Sequence, residues 1–314
     1  MWWVMTGGGM RLSLPSRVTP HLLMLLWAAL VASSFPVAAL FNPELSATLL
    51  VAIRFVVAGA TLWIFRPISL KQNRVAWFNY ALLGLLLGGN FIIMFVALRY
   101  SAPLNLAAIY IALPFFAYLL SMLLRMERFS RLRLALLGLV ACAALVILSR
   151  ARLNAIGDIE WGFGETLYLG GCLLAAGYNT LSRYATDRCW IPADPYATTC
   201  LSLIAGGLLL ALPDLIYGDL AQFAQAFGWS DLIALAYLTF LTSLLSFWIL
   251  QVCALKLPPS MLSAYSYQAP MLYLIAELAL GITPWRGAYL LAILLLLIGF
   301  YLLAKQPTGV KKEG

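Results

Sequence analysis

Charge is scarce in this chain: Asp, Glu, Lys and Arg together make up 10% of 314 residues, against roughly 25% in soluble domains. With 63% of the residues apolar, a water-soluble fold would lack the polar surface to cover its core. Histidine is scarcer still, with His21 alone. The chain holds no HExxH pair, no GxSxG elbow, no Walker-type loop and no paired acids within an apolar stretch. Acid–base, nucleophilic and metal chemistry need such groups converging on one point, so no catalytic residue, metal or cofactor is expected. The five cysteines, Cys142, Cys172, Cys189, Cys200 and Cys253, lack CxxC spacing and read as small apolar packing residues. Alternation of apolar and polar residues over segments of about ten is also missing, which excludes a membrane β-barrel.

What the chain does have is long uncharged runs. No Asp, Glu, Lys or Arg occurs between Arg17 and Glu44, Arg74 and Arg99, Arg99 and Arg125, Asp194 and Asp214, or Asp231 and Lys256, and these runs are 19 to 26 residues long. About 20 helical residues at 1.5 Å rise cross a hydrocarbon core of about 30 Å. Five further runs are short or carry one charge: 45 to 65 with Arg54, 134 to 149, 166 to 182, 257 to 281 with Glu277, and 287 to 304. The expectation is an all-α polytopic membrane protein of ten transmembrane helices. Its first span, which follows Arg11 and Arg17, is longer than the apolar core of a cleaved signal and is expected to be retained.

The net charge of +8 raises the question of nucleic acid. With both ends of the chain placed in the cytoplasm, fifteen basic residues fall inside: Arg11, Arg17, Arg66, Lys71, Arg74, Arg125, Arg128, Arg131, Arg133, Arg183, Arg188, Lys256, Lys305, Lys311 and Lys312. Only Arg99, Arg150, Arg152 and Arg286 fall outside, and Arg54 lies within a span. This is the positive-inside bias of a plasma-membrane protein, the inner membrane in a bacterium. No nucleic-acid partner is needed to explain it.

The chain also repeats itself. Ala97-Leu98-Arg99 matches Ala254-Leu255-Lys256 at an offset of 157, and Pro114 matches Pro270 at 156. A unit of five spans is odd in number, so a second copy enters the membrane in the opposite sense, giving two five-helix inverted repeats. The expected division is a cytoplasmic tail at 1–20, a first repeat at 21–150, a periplasmic connection at 151–161, a second repeat at 162–304 and a cytoplasmic tail at 305–314. The stretch from Asp214 to Asp231 reads as a surface connection, and the cluster Arg125 to Arg133 as a basic cytoplasmic turn.

Polar residues inside spans tend to face the bundle interior. In the ninth span Ser263, Ser266, Pro270, Tyr273 and Glu277 recur at helical spacing, with Tyr267 beside them; in the fourth, Tyr110, Pro114, Tyr118 and Ser121 do the same. The offset of 156 superposes Tyr110, Pro114 and Ser121 on Ser266, Pro270 and Glu277, so two related helices carry equivalent polar faces, and these are the leading candidates to line a substrate path. Weaker candidates are Trp27 and Ser34, Asn90, a sixth-span stripe of Tyr168, Cys172, Asn179 and Ser182, and an eighth-span stripe of Thr239, Ser243 and Ser246. Ser33-Ser34-Phe35-Pro36 is a candidate break in the first helix. Gly84 and Gly88 form a GxxxG pair suited to close helix packing. Arg54 and Glu277 are the two charges at depth and are candidates to pair with each other, and Glu277 is a candidate for proton coupling.

The stretch ALRYSAPLNLAAIYIALPFFAYLLSMLLRMERFSRLRLALLG, with Ala97-Leu98-Arg99-Tyr100, Pro114, Glu127-Arg128 and Gly138, resembles the repeat of the EamA family in the drug/metabolite transporter superfamily. Arg54-Phe55 with Ala58-Gly59 looks like the second-helix signature of that repeat, and the resemblance spans most of residues 20 to 305. In the second half Gly281-Ile282-Thr283 stands where the family carries glycine and glutamate. The resemblance implies ten helices, both termini inside, and a central cavity lined by the first, third, fourth, sixth, eighth and ninth helices. It also implies export of amino acids or related metabolites. The expected partners are a small-molecule substrate and the lipid bilayer, with proton or exchange coupling left open and the oligomeric state unread. The alternative function is a lipid-linked flippase or a non-transporting accessory subunit.

Overall fold

The computed structural model describes residues 19–101, 103–148, 162–279, 281 and 284–306, apart from the side chains at 103, 104, 107, 148, 273, 276 and 277. Among the described residues there are helices and no strands. In chain order they are α1 (Thr19–Ala38), α2 (Ala47–Phe65), α3 (Arg74–Ala97), α4 (103–123), α5 (Arg131–Leu148), α6 (Phe163–Asp187), α7 (Pro195–Tyr217), the short α8 (Leu220–Ala226), α9 (Trp229–Ala254), α10 (259–279) and α11 (Gly287–Lys305). Six of them, α1, α2, α3, α7, α9 and α11, are long and apolar enough to cross a membrane. The protein is a polytopic membrane protein. The expected tails and the junction at 151–161 lie outside the described residues, apart from the short overlaps at their edges.

Polar caps start several of the rods where the chain re-enters the bundle. Ser46 Oγ accepts from the Leu49 amide at 3.2 Å, Asn73 Oδ1 from Ala76 at 2.7 Å, and Asp194 Oδ1 from Tyr196 and Ala197 at 3.0 and 3.3 Å. Each satisfies a donor that a helix start leaves unpaired. α7 runs past Pro213 and Asp214 to Tyr217, so the apolar run that ends at Asp214 is one turn shorter than the helix it forms. Asp214 still faces an end, where its Oδ1 accepts from Ser46 Oγ at 2.6 Å.

α4 and α10 are interrupted. In α4 a 3-10 turn at Tyr110–Ala112 precedes Pro114, and in α10 one at Tyr265–Tyr267 precedes Pro270. Proline at position i cannot bond the carbonyl at i−4, which is Tyr110 in one rod and Ser266 in the other. The tighter turn compensates in α4, where the Leu113 amide bonds the Tyr110 carbonyl. α9 deviates in the other direction, widening into a π-helical stretch at Phe240–Leu245. α1 is not broken at Ser33–Pro36 but continues to Ala38. Ser33 and Ser34 turn their hydroxyls back onto the Leu30 and Val31 carbonyls at 2.8 and 2.7 Å, and Pro36 falls in the last turn, where few backbone bonds remain to be lost.

α2 lies along α7, α3 along α6 and α7, α9 along α1 and α2, α4 and α10 on each other and on α6 and α1 respectively, and α5 along α11. Glycine sets the closest of these approaches. A Cβ on Gly84 would stand 2.2 Å from the Ser202 carbonyl oxygen and 2.6 Å from the Gly206 Cα, so the α3 and α7 backbones touch. Gly88 instead faces the Leu210 side chain. The outer surfaces of the rods are apolar: Ile64, Phe78, Leu119, Ile216, Ile233 and Leu291 are all exposed, while Ser34, Arg54, Asn90, Ser121 and Asn179 are buried. α11 is the most outward-facing of the six long apolar rods; it rests on α5 through Gly299 against Val140, with Trp285 exposed before its start and Lys305 over the Tyr301 ring at its end.

Candidate functional site

A small cavity of about 40 Å³ sits where α1, α3, α4, α6 and α9 meet. Pockets that hold drug-sized ligands run to roughly 300–1,000 Å³, so the space is closed down in this conformation. Seven of the candidates expected from sequence stand in its wall: Trp27, Ser34, Asn90, Tyr110, Tyr168, Asn179 and Ser246. Two of them present unsatisfied polar atoms: among the described residues, Trp27 Nε1 and Asn90 Oδ1 are buried with no hydrogen-bond partner. A donor and an acceptor held unpaired in an apolar wall are the groups a bound solute would engage.

The wall is otherwise aromatic. Tyr110 and Tyr168 stack at 6.2 Å, with Phe35 edge-on to both at 5.8 and 6.1 Å. These three belong to the last turn of α1 and the early turns of α4 and α6, so they close the cavity toward one end of the bundle. Phe91, Phe247 and Tyr178 form a second group, with Phe247 5.7 Å from Phe91 and 6.3 Å from Tyr178. A buried polar chain backs it: Ser182 Oγ donates to Gln251 Oε1 and Gln251 Nε2 donates to Tyr178 Oη, both at 2.7 Å.

The remaining candidates lie behind or beyond this wall. Ser263 Oγ accepts from Asn179 Nδ2 at 2.9 Å and so fixes a lining side chain without lining the cavity itself. Ser266, Tyr267 and Pro270 are buried in α10, and the Ser266 and Tyr267 hydroxyls have no partner among the described residues. Pro114 is buried at the α4 interruption. Tyr118 works at the basic end: its hydroxyl donates to the Arg128 carbonyl at 3.0 Å and accepts from the Ser130 amide at 2.7 Å, holding the loop after α4. The side chains of Tyr273 and Glu277 lie outside the described residues, and with them the pairing of Glu277 with Arg54. No residue of α10 stands in the cavity wall, although the ninth span was among those implied to line it.

Arg54 is fully buried on α2. Its Nε donates to Ser243 Oγ, and its Nη2 donates to the Thr242 carbonyl at 3.2 Å and Thr242 Oγ1 at 2.9 Å, all in the π-helical stretch of α9. The extra residue in a π-turn loosens the helical ladder, and here the carbonyl it offers goes to the guanidinium. The Arg54 Cζ also lies 4.3 Å from the centroid of the Phe91 ring. Nothing in the local sequence, FLTSLL, signals this turn; the clue available was Ser243 in a weak polar stripe.

Two carboxylates fasten the interrupted rods at opposite ends. Glu127, buried in the loop after α4, accepts from the Ser260 amide and Oγ at 3.1 and 2.6 Å at the start of α10, and pairs with Arg133. At the other end Glu165 accepts from the Gly162 amide at 3.0 Å, from Asn105 Nδ2 at 3.3 Å and from Ser101 Oγ, next to the start of α4. A wider groove of about 340 Å³ lies at this second end, between the start of α2 and α8, lined by Glu44, Arg99, Asp214 and Asp219 among others. It is a surface feature and contains none of the candidate residues.

Residues 18–149 match the sequence model of the EamA-like transporter family. Over that stretch the chain is similar to the EamA-like transporter family. The match covers α1 to α5, which carry Trp27, Ser34, Arg54, Asn90 and Tyr110. That likeness is consistent with a membrane protein of the drug/metabolite transporter type. No curated protein matches it. A crystal structure of a protein without further description is similar over 92% of this chain and 97% of its own, with a TM-score of 0.67 and 20% identity, which is a likeness of fold.

Proposed function

We propose that this EamA-like protein exports a small metabolite such as an amino acid across the bacterial inner membrane by alternating access through the central cavity. In this reading ten helices cross the bilayer, α8 lies on the outer surface, both termini are cytoplasmic, and residues 21–150 and 162–304 are inverted repeats. The observation that carries it is the cavity itself, built by helices from both halves and furnished with the unpartnered Trp27 N–H and Asn90 carbonyl in an aromatic wall.

The packing supports the inverted repeat. Exchanging α1, α2, α3, α4 and α5 for α6, α7, α9, α10 and α11 turns the contacts α2–α7, α4–α10 and α5–α11 into themselves. The same exchange turns α3–α6 into α9–α1, α3–α7 into α9–α2, and α4–α6 into α10–α1, and every one of these contacts is present. A pseudo-two-fold axis through the cavity has this property. The charge distribution supports the orientation: Arg66, Arg74, Arg125, Arg131, Arg183 and Lys305 flank one set of helix ends, against Arg99 and Arg286 at the other, where Glu44, Glu165, Asp219 and Asp231 also lie.

Efflux of labelled amino acids and related metabolites from proteoliposomes holding the purified protein tests the proposal. Saturable flux of at least one compound is expected, and its response to an imposed pH gradient or to solute on the opposite side distinguishes proton from exchange coupling. Lipid scrambling with no saturable solute flux would instead establish the flippase alternative, and neither activity would leave the accessory-subunit reading.

A further inference from the structure

We propose that Arg54 is the anion-recognising group of the central cavity, so that the transported compound bears a carboxylate. The inference rests on the transport reading above and specifies the substrate class for the same site.

All three hydrogen bonds that Arg54 makes go to neutral oxygens, those of Thr242 and Ser243. Its Nη1 is buried with no hydrogen-bond partner among the described residues. Among the described residues no carboxylate pairs with it: the ion pairs Arg66–Asp194, Arg133–Glu127 and Arg183–Asp187 all lie at the rod ends. Retaining a cation at depth is costly unless it pairs or serves a pathway.

The guanidinium is also held in a way that leaves its free edge available. α9 grips the Nε and Nη2 side through the π-turn, fixing the plane, while the two protons of Nη1 are unused. A charged N–H donor of this kind suits a carboxylate oxygen, which Nη1 can take in a single charge-assisted hydrogen bond. Arg54 stands one side chain behind the cavity. Phe91, whose ring it faces at 4.3 Å, and Thr242, which it bonds, both belong to the cavity wall. Phe91 is thus the side chain that would have to turn aside for a bound carboxylate to reach Nη1. Asn90 Oδ1, unpaired in the same wall, is an acceptor for an N–H on the same solute.

The test compares matched compounds in proteoliposomes: amino acids, their deaminated acids, and the amines left by decarboxylation. The expected result is flux for compounds that keep the carboxylate, with a drop of about ten- to a hundredfold on decarboxylation, the factor for loss of a hydrogen bond to a charged group. R54Q protein that remains monodisperse is expected to lose that discrimination, and R54K to retain part of it. Equal or greater flux of the amines, or unchanged discrimination in R54Q, overturns the proposal while leaving transport intact. If R54Q does not fold, the wild-type comparison decides alone. Saturable flux of no compound at all removes the transport reading and this inference together.

Discussion

Two seams flank the central contact of α2 with α7: α3 against α7, and α9 against α2. They occupy equivalent places under exchange of the halves, yet they are made of opposite materials. At the first, Gly84 and Gly206 bring two backbones together, with no room for a single carbon atom. At the second, α9 widens into a π-turn and admits the whole of Arg54, which holds the helices together by hydrogen bonds. In a bilayer, apolar surface gains little by leaving lipid, so helices associate either by close packing of small residues or by polar bonds. This protein uses one solution at each of the two seams. The packed seam is fixed by backbone contact, whereas the bonded seam is held by side-chain hydrogen bonds to Thr242 and Ser243.

Substitutions can break or sharpen this contrast. The largest effect is expected from Gly84→Val, because the obstructing atoms are backbone: a loss of about 4 kcal/mol or more, read as disappearance of the monodisperse peak on detergent gel filtration. Gly88→Val is the internal control, since it meets side chains and no backbone, the flexible end of Leu210 first and the Phe55 ring at 3.3 Å, and more of the folded protein should be recovered than with Gly84→Val. Next comes Glu127→Gln, which removes the buried negative charge that faces Arg133 and weakens the grip on Ser260; a cost of about 3 kcal/mol is expected, seen as a clear fall in Tm. Thr242→Val removes one of the two Thr242 acceptors from Arg54 while keeping the shape, and should cost about 1.5 kcal/mol. If Thr242→Val proves as damaging as Gly84→Val, the bonded seam is as intolerant as the packed one and the contrast fails. The smallest effect belongs to Arg66→Gln: its salt bridge to Asp194 is half exposed, and less than about 1 kcal/mol is expected in the same melts.

Much of the architecture was readable because the solvent enforces it. In lipid a backbone must satisfy its own hydrogen bonds, so an uncharged run of adequate length implies a helix, and Arg74 to Arg99 became α3 with little displacement. The α4 and α10 interruptions were also legible, because Pro114 and Pro270 cannot complete the ladder. The same residue type misled at Pro36, where position within the last turn mattered more than identity. Helical spacing placed Tyr110, Tyr118 and Ser121 on one face, but a face runs the whole length of a rod. Tyr110 reaches the cavity while Tyr118 reaches the basic loop. The π-turn at 240–245 was not legible, since no proline or glycine marks it. Its cause lies elsewhere in the chain, in a guanidinium that needs acceptors.

α11 has a consequence for where the protein can reside. It is 19 residues long, about 28 Å at 1.5 Å per residue, and most of it faces outward. Trp285 and Lys305 bracket it, side chains that prefer the boundary between hydrocarbon and headgroup. A rod so marked at both ends acts as a ruler. In a thicker bilayer the lipid must compress around it or the whole bundle must tilt, each at fractions of a kcal/mol per Å. Membrane thickness is thus a physical variable to which this fold is calibrated, independently of what passes through its centre.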